Sequence, residues 1–441
     1  MKGLWLFVGV MLTLPGSCAK AEESESSDRR GLGSVAWAKP LAQDFVVVHK
    51  VRDLNHPNEC VCVGSPDIIK LPSGRLIASM ELWLHTLEPL SGIEGGIDYP
   101  NHVKIKASDD GGRSWTQIST NGITWGSLFH DEKKDALYLL GADPHKRDVR
   151  LVRSTDGGNT WSKPSSLFAS KKTDFGAAPT SLGFKDGFVY KTFEGMSIST
   201  MFVVAGDMSK DLLDPASWRM SNHLEPPRTA PSFQRKEKVA QMAGHRDQKG
   251  IWLLEGNVVE IGGELCVLPR TRIDVQLTTN VCSLLKIKDD GKDLKLEFER
   301  FFPMPGGHNK FKIIRDTVTG YYWTVTSLVP DTSLSRESLE AKGFRGNAGN
   351  MRRIAMLCYS LDGINWVRAG CVAMSKNPRE AFHYTSQVID GDDLLVLSRS
   401  CVGPSKLHNN HDTNMITLHR VKDFRSLALD LRQDFSYSSG Q

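Results

Sequence analysis

Apolar residues in this chain gather in short, strand-length runs separated by polar turns, and three of the turns share one composition. The runs His102 to Lys106, Val149 to Arg153 and Ile354 to Tyr359 lead into Ser108-Asp109-Asp110-Gly111-Gly112-Arg113-Ser114-Trp115, Ser154-Thr155-Asp156-Gly157-Gly158-Asn159-Thr160-Trp161 and the shorter Ser360-Leu361-Asp362-Gly363-Ile364-Asn365-Trp366. A weaker copy is Lys288-Asp289-Asp290-Gly291-Lys292-Asp293-Leu294. A polar-then-apolar run leads out of each, the pattern of a β-hairpin. A short Asp or Ser side chain bonds turn N–H groups, Gly takes the positive φ of a tight turn, and Trp buries its indole on a neighbouring sheet while its N–H finds a backbone acceptor. Asp110, Asp156 and Asp362 are therefore read as turn formers rather than catalysts.

The runs group into six units. The first spans Ser65 to Trp115, with Pro72-Ser73-Gly74 as a turn, and the next two span Trp125 to Trp161 and Ala177 to Trp218. After a polar insertion, Pro226 to Gln248, come Ile251 to Phe302, then Asn309 to Trp366, whose loop Asp331 to Asn350 is read as a lid over one face. The last unit begins near Phe382 and lacks a final strand, whereas Phe45-Val46-Val47-Val48 stands before the first. Lending that strand to the last unit closes the ring and removes its open edges.

Composition narrows the picture. A chain of 441 residues built from repeats is expected to form one domain. Its 55 basic and 51 acidic residues are scattered, which argues against a nucleic-acid partner. Met1-Lys2, the apolar run Leu4 to Leu14 and Ala19-Lys20-Ala21 read as a secretory signal, residues 1–21, too short to be a transmembrane segment. Cys18 offers the alternative of a lipoprotein, so the expected location is secreted, periplasmic or cell-surface. A polar, disordered leader over 22–43, the repeat-built domain over 44–430 and a tail over 431–441 complete the expected organisation. Beyond Cys18 stand seven cysteines, among which Cys266 with Cys282 and Cys358 with Cys371 are candidate cross-strand bridges. Cys60-Val61-Cys62 has no second pair at finger spacing, and His408, His411 and Asp412 fit no metallohydrolase motif. Neither a metal nor a cofactor is expected.

The recurring S-x-D-x-G-x-x-W pattern resembles the Asp-box (BNR repeat) of sialidases and related β-propellers, and the resemblance spans roughly residues 45 to 425. It implies an all-β, six-bladed sialidase-like β-propeller with the Asp-boxes on outer turns. Glu255 opens the strand-turn-strand segment Leu254 to Leu265, and Arg270 follows it by fifteen residues, similar to a sialidase glutamate and arginine on adjacent strands. The Gly262-Gly263 turn sets both at one end, facing the central mouth; the plainer reading is a salt bridge at a blade edge. Arg352 or Arg353 stands where sialidases carry another arginine of their carboxylate clamp, Tyr384 where they carry the nucleophile, and Asp98 where they carry the acid/base, although Asp98 also suits an Asx turn before Pro100. One arginine of the family pattern is missing, because Val63-Gly64-Ser65-Pro66-Asp67 occupies its place; Arg246, Arg272 and Arg399 are the candidates to replace it.

The resemblance implies a retaining exo-α-sialidase-like glycoside hydrolase acting on glycans that end in an acidic sugar. An anionic nucleophile would be repelled by the sugar's carboxylate, so a tyrosine deprotonated by a neighbouring carboxylate suits the reaction. Tyr384 then attacks, Glu255 takes its proton, Asp98 protonates the leaving oxygen, and Arg270 and Arg352 hold the carboxylate. A rival reading draws on His308, His383, His408 and His411, which with Tyr and Arg make a set like that of uronate-acting propeller lyases. A third is a non-catalytic glycan-binding propeller.

Overall fold

The computed structural model describes residues 39–51, 59–86, 102–145, 147–170, 174–228, 251–273, 278–344 and 346–429. The expected signal (with Cys18), most of the leader and of the 226–248 insertion, and the tail lie outside them. Alternating apolar and polar positions between tight turns give antiparallel strands, and these assemble into six sheets of four or five strands, the blades of a six-bladed β-propeller. The blades span Glu59–Asn121, Thr124–Phe168, Phe175–Met220, Trp252–Pro303, Ile313–Met374 and Ala381–Val421. Phe45–Lys50 completes the sixth, pairing antiparallel with Met415–Val421 from Phe45 opposite His419 to Lys50 opposite Met415. The ring is thus closed by hydrogen bonds between its first and last strands, as expected. Among the described residues no helix is long and apolar enough to cross a membrane.

The repeated turns share one geometry. In the second, Asp156 Oδ1 accepts from Ser154 Oγ at 2.7 Å and Thr160 N at 2.9 Å, while Gly158 N donates to Ser154 Oγ at 2.9 Å. Asp110 and Asp362 are placed the same way. The hydrogen bonds that fold the turns hold these three carboxyls below their ordinary range, led for Asp110 by Ser114 and for Asp156 by Thr160; at Asp362 they outweigh the opposing effect of burial. The turn glycines press on the preceding blade: a Cβ on Gly112, at φ +88°, would lie 2.5 Å from Leu418, and one on Gly363 would lie 2.8 Å from Ile261. The indoles follow, Trp115, Trp161 and Trp366 each packing at an interface between blades. They are half-buried rather than enclosed, and Trp161 Nε1 donates to the Ser119 hydroxyl of blade one instead of a backbone oxygen.

Three expectations change. The loop of blade five is packed down: a short helix, Arg336–Ala341, buries Leu339 with Val329, Ala348 and Met351 in a small core of its own. The end of the leader is tied down, with Leu41 N donating to Cys371 O at 2.7 Å. None of the seven described cysteines forms a disulfide; Cys266 pairs across from Lys286 and Cys358 from Arg368, so both suggested bridges are out of register.

Candidate active site

Four innermost strands break register at the same level. The shifts fall between Gly64 and Asp67, Thr124 and Ser127, Leu254 and Asn257, and His383 and Ser386. In each the residue after the break has positive φ: Ser65 at 47°, Trp125 at 54°, Glu255 at 51° and Tyr384 at 50°. Such bulges re-aim a side chain, and a bulky residue held at positive φ needs support from its surroundings. Blade three supports Glu255, whose N–H donates to Glu194 Oε1 at 2.6 Å while the next carbonyl, Gly256, accepts from Thr180 and Thr192 hydroxyls at 2.7 and 2.6 Å. Glu81 of blade one does the same for Trp125 N at 3.3 Å.

The re-aimed side chains line a cavity of about 720 Å³. A larger one, about 970 Å³, is lined by the other halves of the same strands; there the Tyr322 hydroxyl donates to the backbone carbonyl of Glu260 at 2.6 Å rather than to a carboxylate, whereas a phenol bonded to a carboxylate stands in the smaller. Between the two levels Asp67 accepts from Lys312, Ser386 and Leu128 N at 2.5, 2.6 and 2.7 Å, tying four blades at the axis.

In the smaller cavity the Tyr384 hydroxyl donates to Glu255 Oε1 at 2.6 Å. Arg270 Nη1 donates to Glu255 Oε2 at 3.1 Å and to the Tyr384 oxygen at 3.2 Å, and its Nε is held by the His308 carbonyl at 2.6 Å. Burial and the Glu255 charge raise the Tyr384 phenol, against the pull of Arg270, Arg352 and Arg399. The guanidinium of Arg352 lies 5.7 Å and that of Arg399 5.2 Å from the Tyr384 ring centre. Arg352 donates to Asn350 Oδ1 at 3.1 Å and His383 Nδ1 at 2.9 Å, and burial lowers its pKa to about 10. Arg399 donates to the His411 carbonyl and to Thr413 Oγ1, and stacks 4.5 Å over Trp83. Both are buried, and among the described residues neither has a carboxylate within ion-pair distance.

Arg399 of blade six lies over Gly64 of blade one, which stands within the segment Val63 to Asp67. A Cβ on Gly64 would lie 2.7 Å from the Trp83 ring and 3.0 Å from Arg399 Cδ. The second strands show a rule that sequence reasoning missed: Glu81, Glu194, Arg270 and Arg399 pair with Gly64, Gly176, Leu254 and His383, the residues at the inner bend of their blades. Blades one and three thus present carboxyls where four and six present guanidiniums. Burial first, and then the Glu255 charge, raise Glu194 to about 8.

The other expected site residues divide. His411 reaches the cavity with Nδ1 on Asp412 at 2.9 Å, and Arg272 stands at its wall over Trp252. His308 does not reach it: its buried ring bonds Thr279 O and Asn309, and burial lowers it to about 3. His383 is likewise buried, and because a guanidinium only donates, its Nδ1 must be the acceptor, a neutral ring that orients Arg352. Both stand behind the cavity wall, His308 holding Arg270 and His383 holding Arg352. Arg353 turns away to Ser375 O and Phe344, leaving Arg352 as the inward member of the pair. Asp98 and Arg246 lie outside the described residues. Trp83, Trp125, Trp252 and Arg147, which stacks 4.4 Å over Trp125, also line the cavity; their aromatic-cation pairing has no signal in sequence spacing.

No family model matches the chain, and no curated protein is found similar. Solved structures are. An α-L-arabinanase from Penicillium chrysogenum complexed with arabinobiose has a TM-score of 0.50 at 14% identity, over 88% of this chain and 100% of that one. Trypanosoma rangeli sialidase has 0.52 at 14%, over 87% and 59%, so the chain spans under two thirds of that protein. The NanB sialidase of Streptococcus pneumoniae has 0.50 at 11%, over 86% and 70%. At these identities the likeness establishes a fold shared with propellers that include sialidases and an arabinanase.

Proposed function

We propose that the protein is a retaining exo-glycosidase that removes a terminal acidic sugar, sialic acid or a related sugar acid, from glycans. The observation that carries this is the grouping around one phenol: Tyr384 donates to Glu255, while Arg352 and Arg399 are buried beside it with no carboxylate in ion-pair distance among the described residues. Burying cations unpaired is costly, and a ligand carboxylate between them removes that cost. Arg270, Arg352 and Arg399 form the clamp, the last entering from blade six in place of the arginine absent from blade one.

In the reaction the Tyr384 oxygen attacks the anomeric carbon as its proton passes to Glu255 and the glycosidic C–O bond breaks. Asp98, in the segment between the second and third strands of blade one, is the proposed donor to the leaving oxygen. Water then attacks the anomeric carbon, giving a proton to Asp98, as the tyrosyl oxygen leaves and takes its proton back from Glu255. Arg270, bonded to both Glu255 and the phenol oxygen, stabilises the developing phenolate.

The test is a panel of aryl glycosides of sialic acid, other nonulosonic acids and uronic acids, read for released aryl alcohol and for unsaturated product. Release without a double bond supports the reading. An unsaturated uronate would move the assignment to a lyase, and binding without turnover to a glycan-binding propeller.

A further inference from the structure

A second constellation lies at the seam between blades one and six. Cys60 and Cys62 are two apart on the innermost strand of blade one, so their side chains share a face, and their sulfurs lie 3.6 Å apart. His408 comes from the loop between the second and third strands of blade six, 346 residues further on. Its ligand nitrogen and the two sulfurs are all within 4.8 Å of one another, and all three side chains are buried. From these donors we infer that Cys60, Cys62 and His408 form a binding site for a thiophilic d10 cation, zinc or copper(I).

Geometry and charge both fit. Two sulfurs each about 2.3 Å from a tetrahedral metal are separated by about 3.8 Å, close to the spacing here. A disulfide suits the strand less well, since residues two apart on it have Cα atoms about 6.6 Å apart, at the far end of the range disulfides use. Each His408 nitrogen has an oxygen neighbour, Nε2 at 3.0 Å from Val61 O and Nδ1 at 2.9 Å from Ser405 Oγ. Whichever nitrogen turns to the metal, the other keeps a partner that orients the ring, as metal-bound histidines require. Two thiolates, a neutral imidazole and zinc sum to zero, so a zinc site leaves no net charge in the buried seam, whereas copper(I) leaves a single negative charge. The missing donor in the sequence pattern was remote: no spacing rule joins Cys-x-Cys to a histidine at the other end of the chain.

The site has a structural consequence. The loop carrying His408 also carries His411 and Thr413, whose carbonyl and hydroxyl hold Arg399. Trp83, opposite Cys62 in register, packs on Cys60, Cys62 and Leu407 and supports Arg399 from below. A cation here fixes the seam and, through it, one wall of the cavity. Its presence does not depend on which reaction the cavity performs.

The experiment uses the full chain, reduced and free of oxygen, titrated with zinc, copper(I) and cobalt(II) separately. About one equivalent of zinc or copper(I) is expected to bind and raise Tm, with cobalt giving thiolate charge-transfer absorption and a tetrahedral spectrum. Cys62→Ser and His408→Ala should each weaken binding at least about tenfold, by analogy with the loss seen when an outer-shell partner is removed. No saturable binding, or a cobalt spectrum without thiolate character, overturns the site even if the variants fail to fold. Unchanged affinity in folded Cys62→Ser and His408→Ala does so too.

Discussion

Tyr384 and Glu255 stand 129 residues apart, on blades four and six, and still meet across 2.6 Å. Each owes its aim to a bulge at the same level of an innermost strand, and each sits at positive φ. The Tyr384–Glu255 pair is therefore a property of the ring, not of any single hairpin. Tyr384→Phe keeps the ring that Arg352 and Arg399 face and removes only the oxygen proposed to attack. It is expected to remove most of kcat while an acidic-sugar inhibitor binds as before; Glu255→Gln is expected to cost roughly 10²–10⁴ in kcat, the range for a lost general base. A fully active Tyr384→Phe protein, by steady-state kinetics, would remove the tyrosine mechanism from consideration.

Arg352 illustrates a site that works against the fold. Burial lowers its pKa to about 10, below the unfolded value, so the native state disfavours the charged form. That penalty is present throughout the neutral range and is relieved only as pH rises above about 10, an effect on the order of a few kcal/mol. Replacing it with methionine of similar volume should leave Tm unchanged or raise it, yet weaken binding of an acidic sugar by roughly tenfold to a hundredfold. Calorimetry on the variant with and without ligand checks both signs. A lower Tm together with intact binding would show that Arg352 serves the fold alone.

The repeated turns give a test of the blade interfaces. Gly112 needs positive φ and has Leu418 of the last blade where a side chain would stand. Gly112→Ala should therefore lose about 1–3 kcal/mol through strain and overpacking. Gly74 has positive φ but open space around it, so Gly74→Ala should lose less. Equal losses in urea melts would show that packing against Leu418 contributes nothing.

How much of this was legible in the sequence depends on which signals are local. The turn around Asp156 is built from side chains within six residues of one another, so its hairpin, the blade count and the closing strand near Phe45 could all be read. Tyr384, Glu255, Arg270 and Arg352 were legible for a related reason: the position of each repeat states which strand end faces the mouth. Arg399 was visible only as one of three candidates, because its role depends on the space over Gly64, which is a packing fact. Glu194 was missed because register, not composition, makes it the counterpart of Arg270. His308 and His383 were misassigned because a sequence does not distinguish a histidine in a cavity from one buried behind it. The disulfides failed on register, which cysteine counting does not contain.

Glu194 supplies the sharpest pH test. Its Oε1 accepts the Glu255 N–H, and it shares its surroundings with the Glu255 carboxylate and Arg270 of blade four and with Lys191 on its own strand. Burial is the main cause that raises Glu194 to about 8 and lowers Lys191 to about 8, so both titrate in one window. For Glu194 the folded pKa exceeds the unfolded one, so its contribution to stability is complete below about 4.5 and is lost as pH rises through about 8. Over the upper part of that window a second negative charge appears beside Glu255, opposing an anionic substrate and holding the phenolic proton more tightly. The wild type should accordingly lose kcat/KM above about pH 8. Glu194→Gln retains a carbonyl oxygen for the Glu255 amide but cannot ionise, and is expected to keep near-normal activity at pH 6 while losing the alkaline limb. Lys191→Met serves as the control for the neighbouring lysine, and should leave the limb in place if Glu194 is its source. A limb that survives Glu194→Gln and disappears in Lys191→Met would reassign it to the lysine; loss of activity at all pH values in Glu194→Gln would mean that the charge, not the acceptor, holds the Glu255 bulge.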